Sequence, residues 1–232
     1  MKNIFITIKK RWIFCFVFFV VVSFLLLIFV PVKKTSAPPT RYTVVIDAGH
    51  GGLDGGSVGV STGVVESDLN LSYALNLAKQ LKQMNIGVVL TRVNSEGLYD
   101  QNSINHKRSE MKKRKQIIDE SDADIVVSIH MNSFRNQSSK GAMTFYNKQN
   151  ERGENLANCI QSQLSNQLEN AKKQAHSGDY YITNCTSLPA VIVECGFLSN
   201  PDEEKLLQTK EYENKVCYAI LCGILSYMDI EL

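Results

Sequence analysis

The chain has 232 residues, of which 44% are hydrophobic and 21% are charged, so it is long enough to bury the core of one well-packed domain. Its formal net charge is +2, but residues 1–41 hold seven Lys and Arg and no acid, which leaves 18 basic against 23 acidic residues, or −5, in the remainder. A net acidic domain of this kind argues against nucleic acid as its partner.

A long apolar run, residues 12–30, follows a basic stub at residues 1–11. At about 1.5 Å per helical residue the run matches the ~30 Å hydrocarbon core of a bilayer. The Lys and Arg residues before it place the N-terminus in the cytoplasm. We therefore predict a transmembrane anchor at residues 12–31, a linker at 32–41, and an extracytoplasmic domain at 42–232. The alternative is a signal peptide, whose cleavage would make the domain a secreted protein.

Short β-branched runs alternate with helical patterns after the linker. The runs predict strands at residues 42–47, 86–91, 124–129 and 190–194, with a further candidate at 141–147. Helices are predicted at about residues 69–84, 103–120 and 151–168, from Pro201 onward, and at about 212–227. This alternation is typical of a single α/β domain with a largely parallel, or mixed, central sheet flanked by helices.

Three ionisable residues stand at the ends of predicted strands: His50 and His130 just beyond two of them, and Glu194 as the last residue of a third. The carboxyl ends of parallel strands meet at one edge of a sheet, which is where ligands gather in α/β proteins. An isolated histidine is more often a hydrogen-bonded structural residue, and His106 and His176, with no strand before them, fit that interpretation. The shared position of the first three residues favours a functional site instead.

The Gly-rich segment VVIDAGHGGLDGGSVG, residues 44–59, matches neither a dinucleotide-binding loop nor a P-loop. Two histidines, one carboxylate and a water form a common catalytic zinc arrangement, and a second carboxylate can take the proton of that water. Glu66 as a ligand and Glu194 as the base fill these roles. Spacing alone leaves the reverse assignment open, because an acid near a helix start also suits the helix dipole.

Five segments resemble the zinc-dependent N-acetylmuramoyl-L-alanine amidases of type 3: VVIDAGHGGLDGG, GVVESDLNL, LTR, SIHMNS and PAVIVECGFLSNPDEEKLL. The resemblance extends over about residues 42–227. The resemblance implies one zinc ion per chain, held by His50, Glu66 and His130, with Glu194 as the catalytic residue. It also implies that residues 42–232 form a catalytic domain that acts on peptidoglycan. The bond cut would be the amide between N-acetylmuramic acid and the L-alanine of the stem peptide.

The compact form, an anchor and one catalytic domain, looks like the germination-specific amidases of endospore formers. In those enzymes stem removal from cortex peptidoglycan precedes muramic-δ-lactam formation, which implies a location on the cell-wall side or in the forespore intermembrane space. A vegetative autolysin would share every catalytic residue. Arg114 fits the family's R-x-x-I-A-N pattern, but Ile118 and Asp119 replace its Ala and Asn. Family members often depend on activating proteins, and no feature here identifies one.

Two alternatives belong to other classes of protein. A cysteine hydrolase would use Cys195 with His130, which leaves His50 and Glu66 without a role. A non-catalytic wall-binding module is expected to lack one of the four site residues, and all four are present. The six cysteines contain no C-x-x-C pair and so predict neither a disulfide framework nor a thiolate zinc site.

Overall fold

The computed structural model describes residues 42–230, together with residues 12, 16, 18–20 and 22. The latter six are helical, and the rest of the predicted anchor, with the stub and the linker, lies outside the described residues. Among the helices that are described, none is both long enough and apolar enough to cross a membrane. The anchor therefore stays a prediction.

A six-stranded sheet forms the centre of the unit that contains residues 40–232. Its described strands are β1 (Thr43–Ala48), β2 (Gly87–Leu90), β3 (Ile125–Asn132), β4 (Met143–Tyr146), β5 (His176–Ser177) and β6 (Ala190–Phe197). They lie in the order β2-β1-β3-β6-β4-β5, and the first four of that order are parallel. Strand β4 runs antiparallel to β6, so the sheet is mixed.

Helices cover both faces of this sheet. They are α1 (Glu66–Gln83), α2 (His106–Asp119), α3 (Glu151–Gln167), α4 (Tyr181–Asn184), α5 (Pro201–Leu207) and α6 (Lys210–Tyr227). Helix α6 packs against α1 and α3 over the larger part of the core. Helices α2 and α4 contact each other and enclose a smaller apolar cluster on the opposite face.

Side chains of the central strands alternate between these two layers. Val44 and Ile46 enter the larger core, whereas Val45 enters the smaller cluster beneath α2 and α4. In β6, Val193 and Ile192 divide in the same way. Because both faces are covered, nearly every strand position is apolar, and this explains the continuous β-branched runs in the sequence.

The structure confirms the α/β class and the predicted strand positions, and it adds two short elements. Strand β5 and helix α4 contain two and four residues, too few to give a periodic pattern. The predicted start at Pro201 is confirmed, with the Asn200 side chain accepting from the backbone N–H groups of Asp202 and Glu203. Helix α6 begins at Lys210, before the predicted residue 212, because Thr209 caps it.

The register of the sheet positions the candidate site. His130 in β3 is paired with Glu194 in β6, and Asp47 in β1 is paired with Ser128 in β3. By strand alternation these four side chains project to the face covered by α2 and α4. The carboxyl ends of three parallel strands therefore bring polar residues from distant parts of the chain to one edge.

Candidate metal centre and catalytic cleft

Three groups with metal-ligating atoms converge at this edge: His50 after β1, Glu66 at the start of α1, and His130 in β3. Oε1 of Glu66 lies 3.3 Å from Nε2 of His50 and 3.0 Å from Nδ1 of His130. The ligating atoms of all three residues lie within 4.8 Å of one another. The structure thus brings together the three residues that the sequence analysis selected as ligands.

This donor set fits a zinc ion. Zinc binds imidazole nitrogen and carboxylate oxygen at ~2.0–2.2 Å, so tetrahedral ligands stand about 3.3 Å apart. The two measured separations, 3.0 and 3.3 Å, agree with that spacing. Two histidines with one carboxylate also leave a fourth position for water, as catalytic zinc sites do.

The turn that carries His50 is tightly built. The Gly49 backbone lies against the His130 ring, and a Cβ atom at Gly49 would stand 2.2 Å from His130 Nε2. His50 itself has a φ of 58°, in the left-handed region that a non-glycine residue rarely adopts. Such a conformation persists only where neighbouring groups hold it.

Two buried arginines hold that turn through its carbonyl groups. Arg92 donates from Nε to Ala48 O at 2.9 Å and from Nη2 to Gly49 O at 2.9 Å. Arg114 donates from Nη1 to Ala48 O at 2.9 Å and from Nη2 to His50 O at 2.7 Å. Three consecutive carbonyls are therefore fixed by charge-assisted hydrogen bonds, which are stronger than neutral ones.

Asp47, the acid that ends the first apolar strand, neutralises one of these arginines. It pairs with Arg114 and accepts hydrogen bonds from Ser128 Oγ at 2.6 Å and Thr91 Oγ1 at 2.8 Å. Burial alone would raise the pKa of Asp47, but the Arg114 guanidinium and the two hydroxyls hold it below its usual value. Sequence reasoning gave none of these residues a role, although a charge in a buried strand signals a partner.

Glu66 is surrounded by donors. Its Oε2 accepts from the backbone N–H of Ser57 at 2.8 Å, and its Oε1 accepts from Asn70 Nδ2 and from the backbone N–H of Met131, both at 3.3 Å. Burial opposes ionisation, but the two site histidines lower the pKa of Glu66 well below its usual range. The carboxylate is charged at every physiological pH.

Glu194 is the opposite case. Its Oε2 is shielded from solvent and has no hydrogen-bond partner among the described residues. Burial raises the pKa of Glu194 to about 7, and the nearby Glu66 carboxylate adds to the rise, while His130 and His50 oppose it. A divalent cation at the neighbouring ligands would lower that pKa again. This unsatisfied carboxylate, next to His130 in the sheet, is what a proton-accepting group at a metal site requires.

An acid also faces the outer nitrogen of His50. Nδ1 of His50 lies 2.9 Å from Asp54 Oδ1, which leaves Nε2 directed toward Glu66. Burial by itself would lower the pKa of His50, but the Glu66 and Asp54 carboxylates raise it. A carboxylate on the second nitrogen of a ligating histidine fixes the orientation of its ring and increases its basicity.

Cys195 does not share the site. It is fully buried in the larger core, on the face of β6 opposite to the one that carries Glu194. Burial raises the pKa of the Cys195 thiol far above its usual value, so it is not a nucleophile. His106 stacks on Tyr99 and His176 lies beside Phe145, so both histidines lie outside the site, as expected.

A cleft of about 220 Å³ opens beside the ligands. Gly49, His50 and His130 line its inner end, and Tyr180 and Tyr181 line the wall that comes from the segment entering α4. Lys107 and Met111 of α2 complete the outer end. His50 and His130 are thus reachable from the cleft, over the face of the sheet that α2 and α4 cover.

Comparisons with known proteins agree with this geometry. Residues 44–226 match the family model described as N-acetylmuramoyl-L-alanine amidase. The chain is 34% identical over 200 residues to the germination-specific N-acetylmuramoyl-L-alanine amidase of Bacillus subtilis, covering 84% of this chain and 83% of that protein.

Solved structures give the same result. The CwlD amidase of Clostridioides difficile, solved in complex with the GerS lipoprotein, is 34% identical with a TM-score of 0.78, covering 82% of this chain and all of that one. The catalytic domain of CwlV from Bacillus (Paenibacillus) polymyxa, also an N-acetylmuramoyl-L-alanine amidase, is 33% identical with a TM-score of 0.73. It covers 82% of this chain and 99% of its own.

Proposed function

The chain belongs to the N-acetylmuramoyl-L-alanine amidase family, and from this premise we propose that it hydrolyses the amide between N-acetylmuramic acid and the stem-peptide L-alanine of peptidoglycan. The observation that carries the proposal is the convergence of His50, Glu66 and His130 beside the unpartnered carboxylate of Glu194. That arrangement suits hydrolysis of an unactivated amide, which requires a strong nucleophile and a proton for the leaving amine.

We propose that the metal is zinc, one ion per chain. His50 and His130 would each offer a neutral imidazole nitrogen, and Glu66 would offer its ionised carboxylate. When bound, the ion supplies Lewis-acid polarisation of the water and of the amide carbonyl. Arg92 and Arg114 keep the turn of His50 in place, so its ring does not reorganise during the reaction.

The proton transfers fall to Glu194. It accepts a proton as the water oxygen bonds to the lactyl carbonyl carbon, and it returns that proton to the alanine nitrogen as the C–N bond breaks. The products are the muramic lactyl carboxylate and a stem peptide with a free amino end. A carboxylate whose Oε2 is shielded from solvent and has no hydrogen-bond partner among the described residues suits this task, because that oxygen has no competing contact when it accepts and releases the proton.

The bond specificity is tested by mass spectrometry of purified peptidoglycan incubated with the purified full-length protein and zinc. We expect intact glycan strands and stem peptides that begin with a free L-alanine amino group. Fragments cut between residues of the stem would show that the protein is an endopeptidase or a carboxypeptidase and would overturn the proposal.

We further propose that the substrate is spore-cortex peptidoglycan and that stem removal prepares muramic residues for δ-lactam formation. The support is the similarity to the Bacillus subtilis germination-specific amidase along 84% of this chain. Deleting the gene should abolish muramic-δ-lactam in the cortex and block outgrowth without changing vegetative walls. A change confined to vegetative cells would favour the autolysin alternative.

The proposed location follows from the sequence before residue 42: an uncleaved anchor with the catalytic domain outside the cytoplasm. The full-length protein should sediment with membranes, and a protease added to protoplasts should digest the domain. A mature N-terminus near Pro38 would instead show a cleaved signal peptide.

A further inference from the structure

A second cavity adjoins the catalytic cleft on its α2 side. It has a volume of about 560 Å³ and is lined by Asn105, Lys107, Arg108, Met111, Lys112 and Tyr181. We call it the basic groove, because its three charged residues are all cationic and all exposed. Nothing in the amidase chemistry described above uses it.

The basic groove is continuous with the catalytic cleft. Lys107, Met111 and Tyr181 line both cavities, whereas His50 and His130 line only the cleft. Lys107 Nζ lies 3.7 Å from Asp54 Oδ2, and the other oxygen of that carboxylate lies 2.9 Å from His50 Nδ1. One carboxylate group thus separates the groove's first cation from a candidate metal ligand.

The positive charge of the groove is largely unneutralised. Within residues 42–230, neither Arg108 nor Lys112 has a carboxylate within ion-pairing distance, and Lys107 is paired only with Asp54 while remaining 74% exposed. By contrast, Lys115, on the same helix but outside the groove, is paired with Asp119 at 2.6 Å. Within residues 42–230, exposed Lys113 on the same helix also has no carboxylate within ion-pairing distance, so what distinguishes the groove's three cations is that they line one cavity beside the cleft.

The electrostatics of a helix N-terminus disfavour the cations at the start of α2. The first turn of α2 contains Lys107 and Arg108 and no acid. The four other described helices of seven or more residues, α1, α3, α5 and α6, all have acids in the first turn. Because the N-terminus of a helix carries partial positive charge, cations there are unfavourable and an anion is favoured. A local conflict of this kind marks positions kept for function.

We propose that the basic groove binds the carboxylates of the stem peptide beyond L-alanine, so that substrates with free carboxylates bind better than amidated ones. This inference rests on the proposed function, since it takes the scissile amide to lie in the cleft. An extended peptide advances about 3.3–3.6 Å per residue, so a carboxylate one or two residues past the scissile bond reaches the groove. Lys and Arg bind carboxylates through charge-assisted hydrogen bonds.

Tyr181 and Met111 complete the fit. Tyr181 is 47% exposed and Met111 is half-buried, and both lie between the metal ligands and the cations. They offer an apolar surface for the short alkyl parts of the stem residues that separate its carboxylates. The groove therefore suits an acidic peptide rather than a free inorganic anion.

The test compares two muropeptides that differ only in whether the stem carboxylates are free or amidated. The triple variant Lys107→Gln, Arg108→Gln, Lys112→Gln removes the groove's cations. The control variant Lys79→Gln, Lys113→Gln, Lys205→Gln removes the same charge from exposed positions outside both cavities.

We expect the triple variant to raise KM for the acidic muropeptide at least about tenfold more than KM for the amidated one, because any effect of Lys107 on the cleft itself acts on both substrates alike. The control variant should change neither KM. An unchanged KM for the acidic muropeptide, or an equal rise in the control, would overturn the proposal.

Binding of the free acidic stem peptide, measured by calorimetry, separates this proposal from the proposed function. If wild type turned over neither muropeptide, the amidase assignment would fail and the calorimetry would still decide the groove. A loss of affinity of about tenfold or more in the triple variant supports the groove, and equal affinities in wild type and triple variant contradict it.

Discussion

Two carboxylates of the site, Glu66 and Glu194, have the same chemistry and opposite surroundings. Glu66 accepts from the backbone N–H of Ser57 and contacts both site histidines, and its pKa is lowered. Glu194 has an oxygen with no partner among the described residues, and burial raises its pKa to about 7. A carboxylate that is held by hydrogen bonds and always charged is suited to hold a cation. A carboxylate with an unpartnered oxygen and a pKa near neutral pH is suited to accept and release a proton.

The difference extends to the structures behind each residue. On the Glu66 side, Arg92 and Arg114 bind the carbonyls of the His50 turn, and Asp47 neutralises Arg114. On the Glu194 side, β6 supplies the strand, and within residues 42–230 Oε2 of the carboxylate has no hydrogen-bond partner. The candidate metal ligands are thus held in position, and the proposed base has an oxygen that is free to exchange a proton.

The largest loss of activity and zinc is expected when a proposed metal ligand is replaced. His50→Ala and His130→Ala should each abolish measurable activity and lower zinc content sharply, because a three-ligand site loses one of its protein donors. Metal analysis of the dialysed proteins checks this. His106→Ala, outside the site, is the control and should keep zinc. Near-stoichiometric zinc in both ligand variants would remove these histidines from the metal site.

The second-largest effect on zinc affinity and kcat is expected for Gly49→Ala. A Cβ atom there would stand 2.2 Å from His130 Nε2, so the ring must leave its position. Zinc affinity and kcat should both fall by about two orders of magnitude, since a ligand ring displaced by even 1 Å disturbs the site. Gly153→Ala is the control, because the added carbon there would meet its nearest atom at 3.4 Å, an ordinary van der Waals distance. Wild-type zinc affinity in Gly49→Ala would show that this close approach does not matter.

Arg114→Lys should have an intermediate effect. Lysine retains a charge near Asp47 but cannot bind Ala48 O and His50 O together. We expect zinc affinity to fall about 10- to 100-fold, as for groups that orient metal ligands, with the fold retained. Competition titration with a chelating dye measures this. An unchanged zinc affinity would restrict Arg114 to a purely structural role.

The smallest effect concerns the segment that leads into Glu66. Glu204 accepts from the backbone N–H groups of Ser61 and Thr62, both at 2.7 Å, and from Thr62 Oγ1 at 2.6 Å. Burial opposes ionisation, but these hydrogen bonds lower the pKa of Glu204. Its stabilisation is therefore present above the unfolded-state pKa, near 4.5, and is lost as the pH falls toward the folded-state value.

Glu204→Gln should cost about 1 kcal/mol of stability at pH 7 and show a weaker loss below pH 5 than wild type. Urea unfolding between pH 3.5 and 7 checks this. Glu211→Gln, at an exposed position paired with Lys215, should change stability less. Parallel stability curves for wild type and Glu204→Gln would rule out the proposed linkage.

Sequence patterns predicted the parts of this molecule that depend on periodicity and strand ends. The apolar runs predicted the strands, and their polar ends predicted that His50, His130 and Glu194 would meet. Arg92 and Arg114 stood in motifs that the sequence analysis quoted but received no role, because a buried arginine is not distinguishable in sequence from a solvated one until its carbonyl partners are known. Spacing also could not decide which of Glu66 and Glu194 is the metal ligand and which is the base. Only three-dimensional contacts show which carboxylate accepts hydrogen bonds from neighbouring donors.

The central claim is that Glu66 holds the metal and Glu194 moves the proton. Zinc content and kcat of Glu66→Gln and Glu194→Gln, measured on the same preparations with one muropeptide, test it most directly. We predict that Glu194→Gln keeps one zinc ion per chain while kcat falls at least about 100-fold, the range of general acid–base groups. Glu66→Gln should lose both. Loss of zinc in Glu194→Gln, or a full complement of zinc in an inactive Glu66→Gln, would contradict the assignment.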